Sequence, residues 1–359
     1  MCNGARAFLC AWVSLTAGFY ALAVLSAVGA LILSLPHTGS MVFTPGKLAV
    51  IGAGSVGSSL AYAALIRNSA REVVLHDINT AKAEAEVLDL AHGTPFTGST
   101  SITGGSDLEL VRDSQAVLIT AGAKQEPGQT RLELASVNAG ILRSLLPDLV
   151  ELAPDAVFVL VINPCDVLTV LAEDLVDLPP GRVFSSGTVL DTARLRWLIA
   201  QAAQVATSSV HAAIIGEHGD SEFPLFSDAT IGQTPIDQWV DGSGAVLFTR
   251  ERLEQLTSDV VNAAQRIIAG KGATNYAIGL SGARIVEAIF RNERSIMPVS
   301  STLRGYRGID GVALSVPSIV GAWGIERVLD VPMDEHEVNL LQKSADALRS
   351  AVATVRNSI

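Results

Sequence analysis

The chain has 359 residues, with 36 Asp plus Glu against 25 Lys plus Arg and a formal net charge of -11. That length allows two ordinary domains around a substantial core, and the acidic balance argues against a nucleic acid as partner while leaving small anions open where cations gather in one pocket. Three cysteines, two of them Cys2 and Cys10, make no disulfide framework, so a reducing, cytoplasmic compartment is expected.

The first element is apolar. Ala7 to Pro36 carries no charged side chain and is long enough to span a bilayer. Arg6 in front and the small residues near Val28 to Ala30 fit a signal peptide or anchor, which would place the rest of the chain at or beyond a membrane. The other reading is a leader, residues 1–40, ahead of a true start at Met41.

From Lys47 onward, short β-branched runs alternate with longer helical stretches, the pattern of a parallel sheet covered by helices. Strands are predicted over 48–51, 73–75, 116–120 and 157–162, and helices over 56–68, 81–91 and 132–152. Gly52-Ala-Gly54-Ser-Val-Gly57 follows the first strand and opens a helix, where free backbone N–H groups and the helix dipole favour a pyrophosphate. Asp77 stands at the end of the second strand, where a carboxylate accepts hydrogen bonds from ribose hydroxyls and repels a 2′-phosphate. The pair points to NAD over NADP. Gly122 and Ala123, after the strand at 116–120, let backbone approach the same ligand. An enzyme that draws on the intracellular pool of this cofactor favours the start at Met41 over export.

The pattern changes near Ser186. We therefore expect an α/β chain divided into the leader at 1–40, a Rossmann-type doubly wound parallel sheet at 41–186, and a mixed α+β substrate domain at 187–359. In the later part, Val189-Leu-Asp-Thr-Ala-Arg194 places Asp191 and Arg194 one helical turn apart, and Ile214-Ile-Gly-Glu-His-Gly-Asp-Ser221 sets His218 in a polar, Gly-flanked turn. Carbonyl reduction needs an acid beside the carbonyl oxygen and a cation for a substrate carboxylate. His218 suits the first task, with Asp191 to fix its tautomer, and the guanidinium fork of Arg194 suits the second. No metal is expected. The last stretch, 334–359, reads as an amphipathic helix.

On these motifs the sequence from Lys47 to the end resembles the L-lactate/malate dehydrogenase family. The resemblance implies that His218 is the proton donor, Asp191 its partner and Arg194 the carboxylate anchor, and that Asn163 in Asn163-Pro-Cys-Asp166 contacts substrate and the nicotinamide side. Cys165 stands where the family usually has Val, and reads as packing. Ala121 to Arg131 is similar to the family's mobile loop, with Arg131 polarising the substrate carbonyl. Thr274 would lie beside the substrate methyl, a helix N-cap being the plain alternative. Further cofactor contacts are implied at Val56, Lys82, Ser144 and Ser186.

Gln125 discriminates within the family. Malate enzymes carry an arginine at this loop position, and closing the loop over a second, unpaired carboxylate would cost on the order of several kcal/mol. The expected substrate pair is therefore pyruvate and L-lactate, with a malate or other 2-hydroxy acid dehydrogenase as the alternative. A non-catalytic dinucleotide-binding protein would have no use for His218, Asp191, Arg131 and Arg194 together. Arg196 and His211 match positions at which bacterial members bind fructose 1,6-bisphosphate between subunits, which implies an allosteric homotetramer.

Overall fold

The computed structural model describes residues 46–124 and 128–358. The leader, the Met41 start and Gln125 lie outside the described residues. In chain order the strands of the main sheet are β1 (Lys47–Ile51), β2 (Glu72–His76), β3 (Ser101–Gly105), β4 (Ala116–Ile119), β5 (Val157–Leu160) and β6 (Val183–Ser185). The helices between and after them are α1 (Ser55–Arg67), α2 (Thr80–Gly93), α3 (Arg131–Leu152), α4 (Cys165–Leu175) and α5 (Val189–Ala203). Next come the two-residue strands β7 (Val210–His211), β8 (Ile214–Ile215), β9 (Phe223–Pro224), β10 (Thr230–Ile231) and β11 (Thr234–Pro235). The chain then runs through α6 (Arg250–Val261), α7 (Ala263–Lys271), α8 (Tyr276–Phe290), β12 (Ser295–Thr302), β13 (Ala313–Gly321), β14 (Gly324–Val328) and α9 (Glu335–Ser358). Every strand and helix expected from the sequence is present, with ends displaced by one or two residues.

The main sheet has nine strands in the order β14-β13-β12-β6-β5-β4-β1-β2-β3. β1 to β6 run parallel, in the strand order of a dinucleotide-binding sheet. The apolar runs are continuous because both faces are covered. Leu48 and Val50 of β1 join Leu118, Val157 and Val159 on one face, against Leu60, Ala64 and Leu65 of α1 and Ile285, Val286 and Ile289 of α8. Ala49 and Ile51 join Val117, Ile119, Phe158 and Leu160 on the other, against Leu142, Leu146 and Leu149 of α3 and Leu341, Leu348 and Val352 of α9.

The later part of the chain is thus not a detached second core. β12 lies antiparallel beside β6 through Ser300 and Ser185, so β12 to β14 prolong the parallel sheet. α8 lies so close to α1 that a Cβ at Gly279 would come 2.7 Å from the backbone of Ser59. A smaller core of Leu195, Ile199, Val210, Ile231, Phe248 and Val260 ties α5 and α6 to the short strands β7 and β10.

β1 is flanked by β2 on one side and β4 on the other, so the connections leave its carboxyl end in opposite directions and open a crevice there. Gly52 turns the chain at this point with φ of 102°, and a Cβ on it would meet the Ala121 backbone at 2.8 Å. A Cβ on Gly57 would overlap the Gly52 carbonyl oxygen, whereas one on Gly54 would meet nothing within 4 Å. The two glycines therefore make opposite predictions. Gly57→Ala should lose about 1–3 kcal/mol in denaturant unfolding, and Gly54→Ala should leave unfolding unchanged while weakening NADH binding in a fluorescence titration. Equal unfolding midpoints for the two variants would refute this division of roles.

Candidate active site

The crevice at the end of β1 is a cleft of about 610 Å³ lined by Gly52, Gly54, Asp77, Lys82, Gly122, Ala123 and Ser144, among others. The carboxylate of Asp77 is aimed at the glycine turn, accepting from the Ala53 N–H at 2.7 Å and the Asn79 N–H at 2.9 Å. Gly54 caps α1 without any side-chain hydrogen bond, which leaves the first-turn N–H groups facing the cleft for a ligand. A cleft of this size, an uncapped helix start, an open space above Gly54 and a fixed carboxylate at the end of β2 together fit a dinucleotide.

Asn138 connects this cleft to the neighbouring cavities. Its Oδ1 accepts from the Ala123 N–H at 2.7 Å, and its Nδ2 donates to the Asn163 carbonyl at 2.7 Å. Sequence reading passed over it because it sits mid-helix in α3. The available signal was a polar residue inside the buried stripe Leu134, Ala135, Asn138, Ala139, Leu142, since a polar group kept there must be hydrogen-bonded.

Beyond Asn138 two cavities meet. One of about 140 Å³ is lined by Val56, Asn163, Ser186, Arg194, His218 and Thr274. The other, of about 380 Å³, is lined by Arg131, Asn163, Asp191, Arg194, His218 and Glu222. Residues from two strand ends, several helices and two loops converge here. The His218 turn is held from three sides: Gly216 and Ser315 of β13 exchange backbone hydrogen bonds at 2.9 Å, the Glu217 N–H donates to Ser344 Oγ of α9 at 2.8 Å, and the His218 N–H donates to Asp166 Oδ2 of α4 at 2.7 Å.

Asp191 is buried in the first turn of α5 and divides its two oxygens. Oδ1 accepts from Arg194 Nη1 at 2.6 Å, and Oδ2 lies 2.8 Å from His218 Nδ1. Burial drives the imidazole toward its neutral form, yet the facing Asp191 carboxylate, assisted by Glu222, outweighs that and holds His218 well above its ordinary range. Asp191 is held below its ordinary value because His218 and Arg194 together overcome the burial that pushes it up. Arg131, the first residue of α3, donates from Nη2 to the His218 carbonyl at 3.2 Å, with Nη1 3.4 Å from Asp220. A cation at a helix N-terminus is disfavoured by the dipole, and these contacts offset that.

Thr274 lies in the bend between α7 and α8 but does not cap α8, where Asn275 occupies that position. Cys165 is buried, and burial pushes its thiol well above the ordinary value, which suits packing and not nucleophilic chemistry. Arg196 of α5 donates from Nε to the Ala212 carbonyl at 2.8 Å, one residue along the chain from exposed His211 of β7. Among the described residues no helix is long and apolar enough to cross a membrane.

Profiles described as the lactate/malate dehydrogenase NAD binding domain and the lactate/malate dehydrogenase alpha/beta C-terminal domain match residues 46–185 and 188–359. The chain belongs to the lactate/malate dehydrogenase family. Family membership makes it an NAD-dependent oxidoreductase acting on a CH–OH group. It is 47% identical over 309 residues to an L-lactate dehydrogenase of Bifidobacterium animalis subsp. lactis, covering 86% of this chain and 97% of that one. To an L-lactate dehydrogenase of a Synechococcus species it is 46% identical over 310 residues, 86% of this chain and 99% of the relative. Among solved structures, the minor L-lactate dehydrogenase of Enterococcus mundtii in its ligands-bound form is 39% identical with a TM-score of 0.82, covering 87% of this chain and 99% of that one.

This lactate/malate dehydrogenase carries a second buried carboxyl beneath its histidine turn. Burial pushes Asp166 up to about 6, with the Ser300 hydroxyl and His218 pulling the other way. A carboxyl raised in the folded state gives stability that is full below the unfolded value, near 4, and lost as pH rises to about 6. Asp166→Asn does not titrate and still offers an oxygen to the His218 N–H. Relative to the parent it should gain on the order of 3 kcal/mol between about pH 4 and pH 6.5, read from denaturant unfolding at each pH. Parallel stability curves over that interval would count against a raised Asp166.

Proposed function

We propose that this chain interconverts pyruvate and L-lactate, and that His218, Asp191, Arg131, Arg194, Asn163 and Thr274 form the substrate site. The observation that carries the reading is the division of Asp191 between His218 and Arg194, which fixes a proton donor and a carboxylate-binding fork at the rim of the same two cavities. NAD, when bound, supplies the hydride donor or acceptor. Gly52, Gly54, Gly57, Asp77, Lys82, Gly122, Ala123 and Ser144 hold or shape its adenosine and pyrophosphate side, and Val56, Asn163 and Ser186 its nicotinamide side.

In the reducing direction Arg194 binds the substrate carboxylate through donors not spent on Asp191, since a guanidinium has five. Arg131 leaves its contacts with His218 and Asp220 to polarise the carbonyl oxygen, where negative charge develops. His218 then delivers the proton from Nε2 to that oxygen while Asp191 fixes Nδ1. Gln125 offers no positive charge to a second carboxylate, and this selects pyruvate. NADH oxidation by residues 41–359 should be strong with pyruvate and weak with oxaloacetate, and Gln125→Arg should reverse the order of kcat/KM by at least one power of ten. Preference of the parent for oxaloacetate would keep the proton chemistry and overturn the substrate.

We further propose a cytoplasmic homotetramer activated by fructose 1,6-bisphosphate. The contact of Arg196 with the Ala212 carbonyl, one residue from His211, supports this, because basic side chains from two subunits would surround phosphates that otherwise repel one another. Replacing Arg196 and His211 together by Ser and Ala should abolish the effector's reduction of KM for pyruvate and spare maximal turnover. Activation of unchanged size in that double variant would sink the proposal.

A further inference from the structure

Two buried carboxyls at the site, Asp166 and Glu222, have no part in the reaction above, and of these Glu222 lies against the imidazole. Glu222 follows His218 by four residues, and its side chain is 4% exposed. Its Oε2 lies 3.6 Å from His218 Nδ1, beside the 2.8 Å approach of Asp191 Oδ2. The three atoms lie within 4.8 Å of one another, and none of them has an aligned hydrogen bond. Nδ1 therefore faces two carboxylate oxygens, Asp191 the nearer and Glu222 the farther. The second oxygen of Asp191 is tied to Arg194, which fixes that carboxylate.

We propose that Glu222 is a second carboxylate partner of the His218 imidazole, a positioning residue that acts on proton transfer through that ring. The inference rests on the reading of His218 as proton donor. Other charged groups surround the His218 turn without duplicating this contact. Asp191 and Arg194 come from α5, Asp166 beneath the turn from α4, Arg131 at its carbonyl from α3, and Glu217 and Asp220 from the turn itself. Only Asp191 and Glu222 are paired with Nδ1 among the described residues.

Two carboxylates at one nitrogen favour the imidazolium and disfavour each other's ionisation. Burial raises Glu222 in the same sense, so it gains a proton more readily than an ordinary glutamate. With Glu222 charged, His218 keeps its proton to higher pH; with Glu222 neutralised, it gives the proton up at lower pH. In the reducing direction kcat/KM falls as pH rises through the His218 value, and that falling limb reports the effect.

The test compares the parent with Glu222→Gln on two readouts: the pH profile of kcat/KM for pyruvate, and the pH dependence of carbethoxylation of His218 in the free enzyme, located by peptide mapping. The imidazole reacts with diethyl pyrocarbonate only when neutral, so this second profile needs no turnover. Both profiles should move to lower pH by about one unit. Glu222→Asp keeps the charge but draws it back, and should move both the same way by less; it also serves where the amide variant does not fold. If neither profile moves in either variant, Glu222 is packing alone and the inference is overturned. A moved carbethoxylation profile beside an unmoved kcat/KM profile upholds the Glu222 contact and instead removes His218 as the proton donor.

Discussion

The site is organised around one buried carboxylate. Asp191 is 1% exposed, and a charge so placed is tolerable only when paired on each oxygen. Its two partners are Arg194 on the same helix and His218 on a loop that reaches it through β8, so a local i to i+3 pair and a long-range contact share one anchor. The orientation of the imidazole follows from that anchor, and so does the presentation of the remaining Arg194 donors to the cavity. Burial opposes the charges of Asp191 and His218, and their attraction, strengthened by the lower dielectric, overcomes that opposition.

Around that anchor the polar framework is built from backbone as much as from side chains. Asp166, Ser315 and Ser344 take up N–H groups or exchange backbone bonds at the His218 turn, and each comes from a different element. The same logic governs the cofactor side, where Asn138 binds Ala123 with one end of its amide and Asn163 with the other. A displacement of α3 would thus reach the cleft at the end of β1 and the cavities beside His218 together.

The parallel half of the fold was legible because its physics is local. The apolar runs at 48–51, 116–120 and 157–162 need burial on both faces, and Gly52 to Gly57 can hardly be other than a tight strand-to-helix turn. Strands with little apolar pattern or with a distant partner were not legible. β3 is an edge strand of Ser101 to Gly105 with only Ile102 and Gly105 buried, so it carries little hydrophobic pattern. The joining of β12 to β6 depends on small buried serines and on a register set over a long sequence separation. At the site, His218, Asp191 and Arg194 stood out because their side-chain chemistry is unusual in such a pattern. Asn138, Asp166 and Glu222 did not, because their importance lies in which backbone or ring they meet after folding.

The close seat of α8 on α1 bears on how this protein could have been assembled in evolution. Gly279 and Gly282 let a helix from the second half of the chain cover the sheet face behind the glycine turn, where Ile285, Val286 and Ile289 share a core with Leu48, Val50 and Leu118. The cofactor-binding half is therefore not a portable module. Severed near residue 186 it would expose the apolar face that α8 seals, and grafted onto another partner it would need a replacement helix of equally small residues. A change to the α8 residues that face α1 and β1 would have to be matched in the first half of the chain.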